Sequence, residues 1–135
     1  IKSSNYTVYY SNKGSKEVGK YAVKITFKGN YSGKKTLSYT IIPMTTVVKS
    51  VKNTAKKIVN VTWKKNITAT GYQIQYVFGS KATSKTVTKK GTVSLKLTKL
   101  TRGKTYKIRI RAYKTVGNTT FYSAWSEYRS VKITK

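Results

Sequence analysis

The sequence predicts an all-β protein, and three observations carry that reading. No segment spaces its apolar residues at helical intervals over a useful length. Short alternating runs bounded by Gly, Asn, Ser and Lys recur throughout the chain. The clearest of them lies within "TRGKTYKIRIRAYKTV", where Tyr106, Ile108, Ile110 and Ala112 alternate with Lys107, Arg109, Arg111 and Tyr113. A period of two sends successive side chains to opposite faces, so this is a strand with one buried face and one charged face.

Taken in order, the chain opens with three runs of strand character: "YTVYY" (6–10), "GKYAVKITF" (19–27) and "KTLSYTII" (35–42). The turn-rich "SNKGSKEVG" and "KGNYSG" join them into a meander. Gly29 and Gly33 lie between strands, with no following helix whose N-terminus could hold phosphate, so "KGNYSG" reads as a turn. Pro43, the only proline, removes a backbone donor and ends strand pairing. The expected division is therefore a first unit over 1–43 and a second over 45–135.

In the second unit the strands again show their parity. An opening strand is expected around "VVKSV"; Val59, Val61 and Trp63 then alternate in "IVNVTW", and Tyr72, Ile74 and Tyr76 in "GYQIQY". A short strand around "KTVTK" follows, then Val93, Leu95 and Leu97 in "GTVSLKL", the Tyr106 strand, and a last one with Val131 and Ile133 inward. Seven short strands with a turn every 8–12 residues suggest a β-sandwich. Its core is expected to gather Trp63, Tyr72, Ile74, Leu95, Tyr106, Ile108, Ile110 and Val131.

Trp63 at the end of the second strand and "LTRGKTY" (100–106) carry a specific resemblance, because the latter is similar to the Leu-x-x-Gly-x-x-Tyr signature of fibronectin type III domains. Residues 45–135 thus resemble that family, with Arg102 where it usually has proline. The resemblance implies that Trp63 is the core tryptophan and that the Tyr106 hydroxyl bonds backbone a few residues upstream. "GYQIQY", "YKIRIRAYKT" and "YSAWSEYRSVKITK" are similar to type III modules of Gram-positive bacterial surface and cell-wall proteins. The front of the chain resembles the C-terminal half of a bacterial immunoglobulin-like repeat. Three strands leave one apolar face without a partner sheet, so a further segment or another chain is expected to cover it.

Charge and chemistry narrow the function. The chain has 29 Lys+Arg against two acids, Glu17 and Glu127, for a formal charge of +27. Such a chain attracts polyanions and repels itself, unless the lysines simply solvate its surface. Histidine and cysteine are absent and the two carboxylates stand far apart in sequence, which leaves no general acid/base pair, no cysteine nucleophile and no metal cluster. Neither an enzyme nor a cofactor is expected. No apolar run approaches the ~20 residues of a membrane helix, so membrane insertion is not expected.

In a type III sandwich the third, sixth and seventh strands share a sheet. The resemblance therefore places Gln73, Gln75, Lys107, Arg109 and Arg111 on one exposed face, joined by Lys132. Only four of the 29 basic residues are arginine, and two of those four sit two residues apart on this face. Long charged side chains there protect a sheet from edge pairing; alternatively, arginine offers bidentate contact to phosphate or carboxylate. Lys107, Arg109, Arg111 and Lys132 are thus the candidate polyanion-binding residues. The leading expectation is a non-catalytic, extracellular bacterial surface module, a spacer or adhesion element associating through charge with teichoic acid or acidic glycans. A subunit of a homo-oligomeric filament or layer, completed by strand donation, is the second. Sequence-independent nucleic-acid binding is the third, and it rests on charge alone.

Overall fold

The structure is a computed structural model that describes residues 2–11 and 13–135; Ile1, and Asn12 in the first expected turn, lie outside the described residues. The chain divides into two compact units, Ile1–Ile42 and Pro43–Lys135.

The first unit is an antiparallel meander of β1 (Tyr6–Tyr10), β2 (Gly19–Phe27) and β3 (Lys34–Ile41). Its register sets Val8 opposite Ile25 and Val23 opposite Leu37. Residues directly opposite share a face, so Tyr6, Val8, Tyr10, Val23, Ile25, Phe27, Leu37 and Tyr39 form one apolar side of the sheet. Tyr21 and Tyr39 touch there with ring centroids 5.4 Å apart. No residue of this side becomes core: Val8, Tyr10 and Leu37 are exposed, and Val23, Ile25, Phe27 and Tyr39 are half-buried. A sheet face of this composition gains its stability only when a second layer removes it from water.

The second unit is a two-sheet sandwich. One sheet has the order β4 (Val48–Ala55), β5 (Ile58–Trp63), β8 (Ser94–Leu97). In the other, β9 (Thr105–Val116) pairs along one edge with β6 (Gly71–Phe78), which in turn pairs with β7 (Lys81–Val87). Along its other edge β9 pairs with β10 (Thr119–Tyr122) and then β11 (Arg129–Lys132). The last strand expected from the sequence is thus present as β11, while β10, separated from it by residues 123–128, is a further strand that the sequence did not single out.

The inward residues of both sheets build one core. Trp63, Tyr72, Ile74, Ile108 and Ile110 are fully buried, Tyr106 is 7% exposed, and Leu95 and Val131 pack against this group half-buried. Trp63 and Tyr72 lie 5.4 Å apart, centroid to centroid, at 58°. That tilted arrangement suits the ring quadrupoles better than a face-to-face sandwich. The Tyr72 hydroxyl accepts from Asn66 N at 2.7 Å, which satisfies a polar tip inside the core. Val93 departs from the expected alternation: it precedes β8, stands 38% exposed, and its carbonyl accepts from Trp63 N. Its backbone holds the strand while its side chain stays outside.

One position tolerates no side chain. A Cβ at Gly71 would collide with Val87 O and stand 2.6 Å from the Tyr113 hydroxyl, and the first of these is a backbone atom that cannot swing away. Gly71→Ala should therefore destabilise the second unit by roughly 3 kcal/mol, at the upper end of ordinary overpacking. Trp63→Ala should cost roughly 3–5 kcal/mol through the cavity it leaves. Denaturant midpoints read both; a shift below about 1 kcal/mol at either site would contradict the packing described.

Candidate functional site

The outer face of the β6–β9 pair carries the candidate residues, and the register explains why. Gln73 stands opposite Arg111 and Gln75 opposite Arg109, while Lys107 stands opposite Ser130 of β11 and Lys132 opposite Thr105. All four candidates therefore lie on one face. Lys107 and Lys132 are exposed, as expected. Arg109 and Arg111 are not: both are half-buried, which corrects the expectation of a freely exposed arginine pair.

Their cover is the segment between β10 and β11. Tyr122 pairs with Tyr113 and Arg129 with Ile108, so the six residues 123–128 run opposite only four residues of β9. Two serines keep this stretch attached. Ser123 N donates to Ala112 O at 2.9 Å, and Ala112 N donates back to Ser123 Oγ at 2.9 Å. Ser126 repeats the pattern on Ile110, with N to O at 2.7 Å and Ile110 N to Oγ at 2.9 Å. Each buried serine thus gives one β9 residue both of the bonds that a paired strand would supply, and no ladder group is orphaned.

Because the serines that face the sheet recur every three residues, the residues beside them do too. Tyr122, Trp125 and Tyr128 share that spacing, and their rings interleave with the two guanidinium groups. Arg109 Cζ lies 4.8 Å from the Tyr128 centroid and 4.5 Å from that of Trp125; Arg111 Cζ lies 4.4 Å from Trp125 and 3.8 Å from Tyr122. The result is a five-membered stack: Tyr128, Arg109, Trp125, Arg111, Tyr122. The ring faces, negative in quadrupole, separate two like charges that form no ion pair among the described residues. Each arginine is also fixed at its root, since Arg109 Nε donates to Gln75 Oε1 and Arg111 Nε to Gln73 Oε1, both at 2.8 Å. The terminal guanidinium nitrogens make no hydrogen bond among the described residues. They are held in place with donors unused. Lysine is a poor substitute, because a compact ammonium has no planar face to fit between two rings and no fork of donors.

Sequence reading missed Trp125, Tyr122 and Tyr128. The signal was present as aromatic residues at i, i+3 and i+6 with serines between, but that period belongs to neither helix nor strand. Among the described residues no group of three metal-ligating side chains occurs, and no helix is long and apolar enough to cross a membrane.

This sandwich, with β9 at the centre of one sheet and β10 and β11 along one edge of it, can be compared with known proteins. Residues 42–129 match the family model of the Fibronectin type III domain. The chain belongs to that family. The crystal structure of chicken CNTN1 FN1-FN3 domains is similar with a TM-score of 0.60 and 19% identity, over 97% of this chain and 54% of that one. At that identity the likeness is one of fold, and the chain spans about half the length of that structure. No curated protein matches the sequence. Within the fibronectin type III sandwich, the Tyr106 hydroxyl accepts from Thr101 N at 3.0 Å, five residues upstream, and Gly103 takes φ +81° in the bend between them. The bond expected from "LTRGKTY" is thus present. Fibronectin type III domains commonly serve as non-catalytic extracellular spacer or adhesion modules.

The stack makes a mechanical forecast. Trp125→Ala removes a ring shared by both arginines and should lower stability by roughly 1–2 kcal/mol. Arg109→Lys with Arg111→Lys, which conserves charge, should lower it by a similar amount. Lys107→Ala and Lys132→Ala should each stay within about 0.5 kcal/mol, as exposed substitutions do. Thermal unfolding of the four variants checks the order; a charge-conserving double variant as stable as the parent would show that the stack does not hold the strand.

Proposed function

We propose that the chain is a non-catalytic extracellular module of a Gram-positive bacterial surface or cell-wall protein. It acts as a spacer or adhesion element that associates through charge with anionic polymers such as teichoic acid or acidic glycans. The observation that carries this reading is the chain's charge of +27, with two acids in 135 residues, in a protein whose larger unit is a fibronectin type III sandwich. Condensed counterions released from a polyanion drive association with such a surface. Lys107, Arg109, Arg111 and Lys132 form the focus of the interaction: the stacked guanidinium groups are preorganised, so little rotamer entropy is lost when they meet a phosphate or carboxylate. The first unit serves the same parent as the C-terminal half of an immunoglobulin-like repeat.

Binding to teichoic acid, a heparin-like glycan and DNA should be weakly selective and should fall steeply with salt. Arg109→Ser with Arg111→Ser should weaken it about tenfold more than Lys56→Ser with Lys57→Ser, although each pair removes two charges. The charge-conserving Arg109→Lys, Arg111→Lys variant should fall between them. Equal losses in the serine pairs would reject the focused site and leave diffuse attraction, whereas no binding to any of the three polymers at about physiological ionic strength would reject the adhesive role.

A second reading rests on the uncovered apolar side of the β1–β2–β3 sheet. In it the chain is a structural subunit of a surface filament, and a neighbouring copy donates the missing layer. Residues 1–43 expressed alone should then lack cooperative unfolding and dispersed amide signals. A folded monomer would exclude strand donation.

A further inference from the structure

The sandwich has an open side where no strand closes either sheet. β7 ends one sheet and β8 ends the other, and between β7 and the turn that follows β8 lies a groove of about 550 Å³. Its floor is aromatic: the rings of Tyr76 and Phe78 pack on that of Tyr106 at 6.3 and 5.5 Å, beside Leu100. One wall is β7, whose Lys81, Thr83 and Lys85 stand opposite Phe78, Tyr76 and Ile74. They therefore share the face that builds the core, and the core face turns cationic where it meets the groove. The other wall is the turn 98–101, which adds Thr98, Lys99 and Thr101.

Inward-facing lysines on an edge strand deter pairing with another sheet, and Lys81 and Lys85 serve that purpose. Lys99 does not, because it lies on the facing turn. It also adopts φ +58°, a conformation that glycine or asparagine takes at lower cost. Left-handed backbone at a non-glycine residue, which Lys57 also adopts at φ +56°, persists only where the surrounding structure enforces it and is over-represented at ligand sites. The chain's two acids, Glu17 and Glu127, are not among the groove's lining residues, so its three lysines line it with no carboxylate beside them there. The hydroxyls of Thr83, Thr98 and Thr101 make no hydrogen bond among the described residues.

We propose that this groove binds one anionic sugar residue, a uronate-type ring whose carboxylate meets Lys81, Lys85 and Lys99. The apolar face of the sugar lies on Tyr76 and Phe78, and its hydroxyls reach the three threonines. The groove volume falls within the usual range for small-molecule sites. The site is separate from the arginine stack and independent of diffuse attraction to long polymers.

Amide NMR of the whole chain, titrated with trigalacturonate at about 0.3 M salt to screen diffuse attraction, tests the assignment. Shifts should cluster at residues 76–85 and 98–101, and maltotriose, the neutral counterpart, should bind at least tenfold more weakly. Lys85→Thr with Lys99→Thr should weaken trigalacturonate at least tenfold, and Lys13→Thr with Lys52→Thr less than twofold. Lys99→Gly should raise the unfolding midpoint while weakening binding, a split that a purely structural lysine would not give. Shifts scattered over the surface, equal affinity for maltotriose, tighter binding of a tri-aspartate peptide, or no binding would each overturn the proposal. Any of these could occur while teichoic acid still bound in a salt-dependent way, so the two readings fail separately.

Discussion

The second unit depends on the two-sided character of β9. Its inward residues, Tyr106, Ile108, Ile110 and Ala112, occupy the core, while its outward arginines anchor the stack that keeps the closing strand in place. Because these residues alternate on a single strand, a slip of one register would bury two arginines and expose two isoleucines. β9 also pairs with three other strands, so its register fixes theirs. Core and stack thus enforce the same alignment from opposite faces.

Scarcity of acids decides how the cations are accommodated. With two carboxylates in the chain, positive charge settles against π faces and amide oxygens. Arg102 Nε donates to Thr134 O at 3.2 Å, and Lys104 Nζ sits 5.5 Å from the Phe78 centroid. Such contacts are neutral on the partner's side, so they leave the net charge of the surface intact. A conventional array of ion pairs would cancel the field that attracts a polyanion.

Much of this fold was legible in sequence because apolar residues with a period of two leave few alternatives. The inward parity of Tyr72, Ile74, Tyr106, Ile108 and Ile110 follows directly from alternation, and the Tyr106 hydroxyl bond follows from the family signature. β10 and the irregular stretch that joins it to β11 were not legible. Ser123 and Ser126 imitate backbone pairing with side-chain oxygens, so the segment stays attached to the sheet without the alternation that marks a strand. For the same reason the face was located while the state of its arginines was not: the rings that cover them come from the irregular stretch. Val93 shows a related limit, since a residue can continue a hydrophobic pattern after the strand geometry has ended.

The two tryptophans occupy opposite kinds of environment, and this gives the protein a pair of built-in optical reporters. Trp63 is sealed in the core, and its Nε1 has no hydrogen-bond partner among the described residues. Its emission belongs to a dry, apolar medium. Trp125 lies between two guanidinium groups on the outer face, where the local field bears directly on the indole. Loosening of the outer stack therefore changes one chromophore and leaves the other silent until the sandwich opens. The order in which the two signals change distinguishes surface remodelling from global unfolding without any attached label.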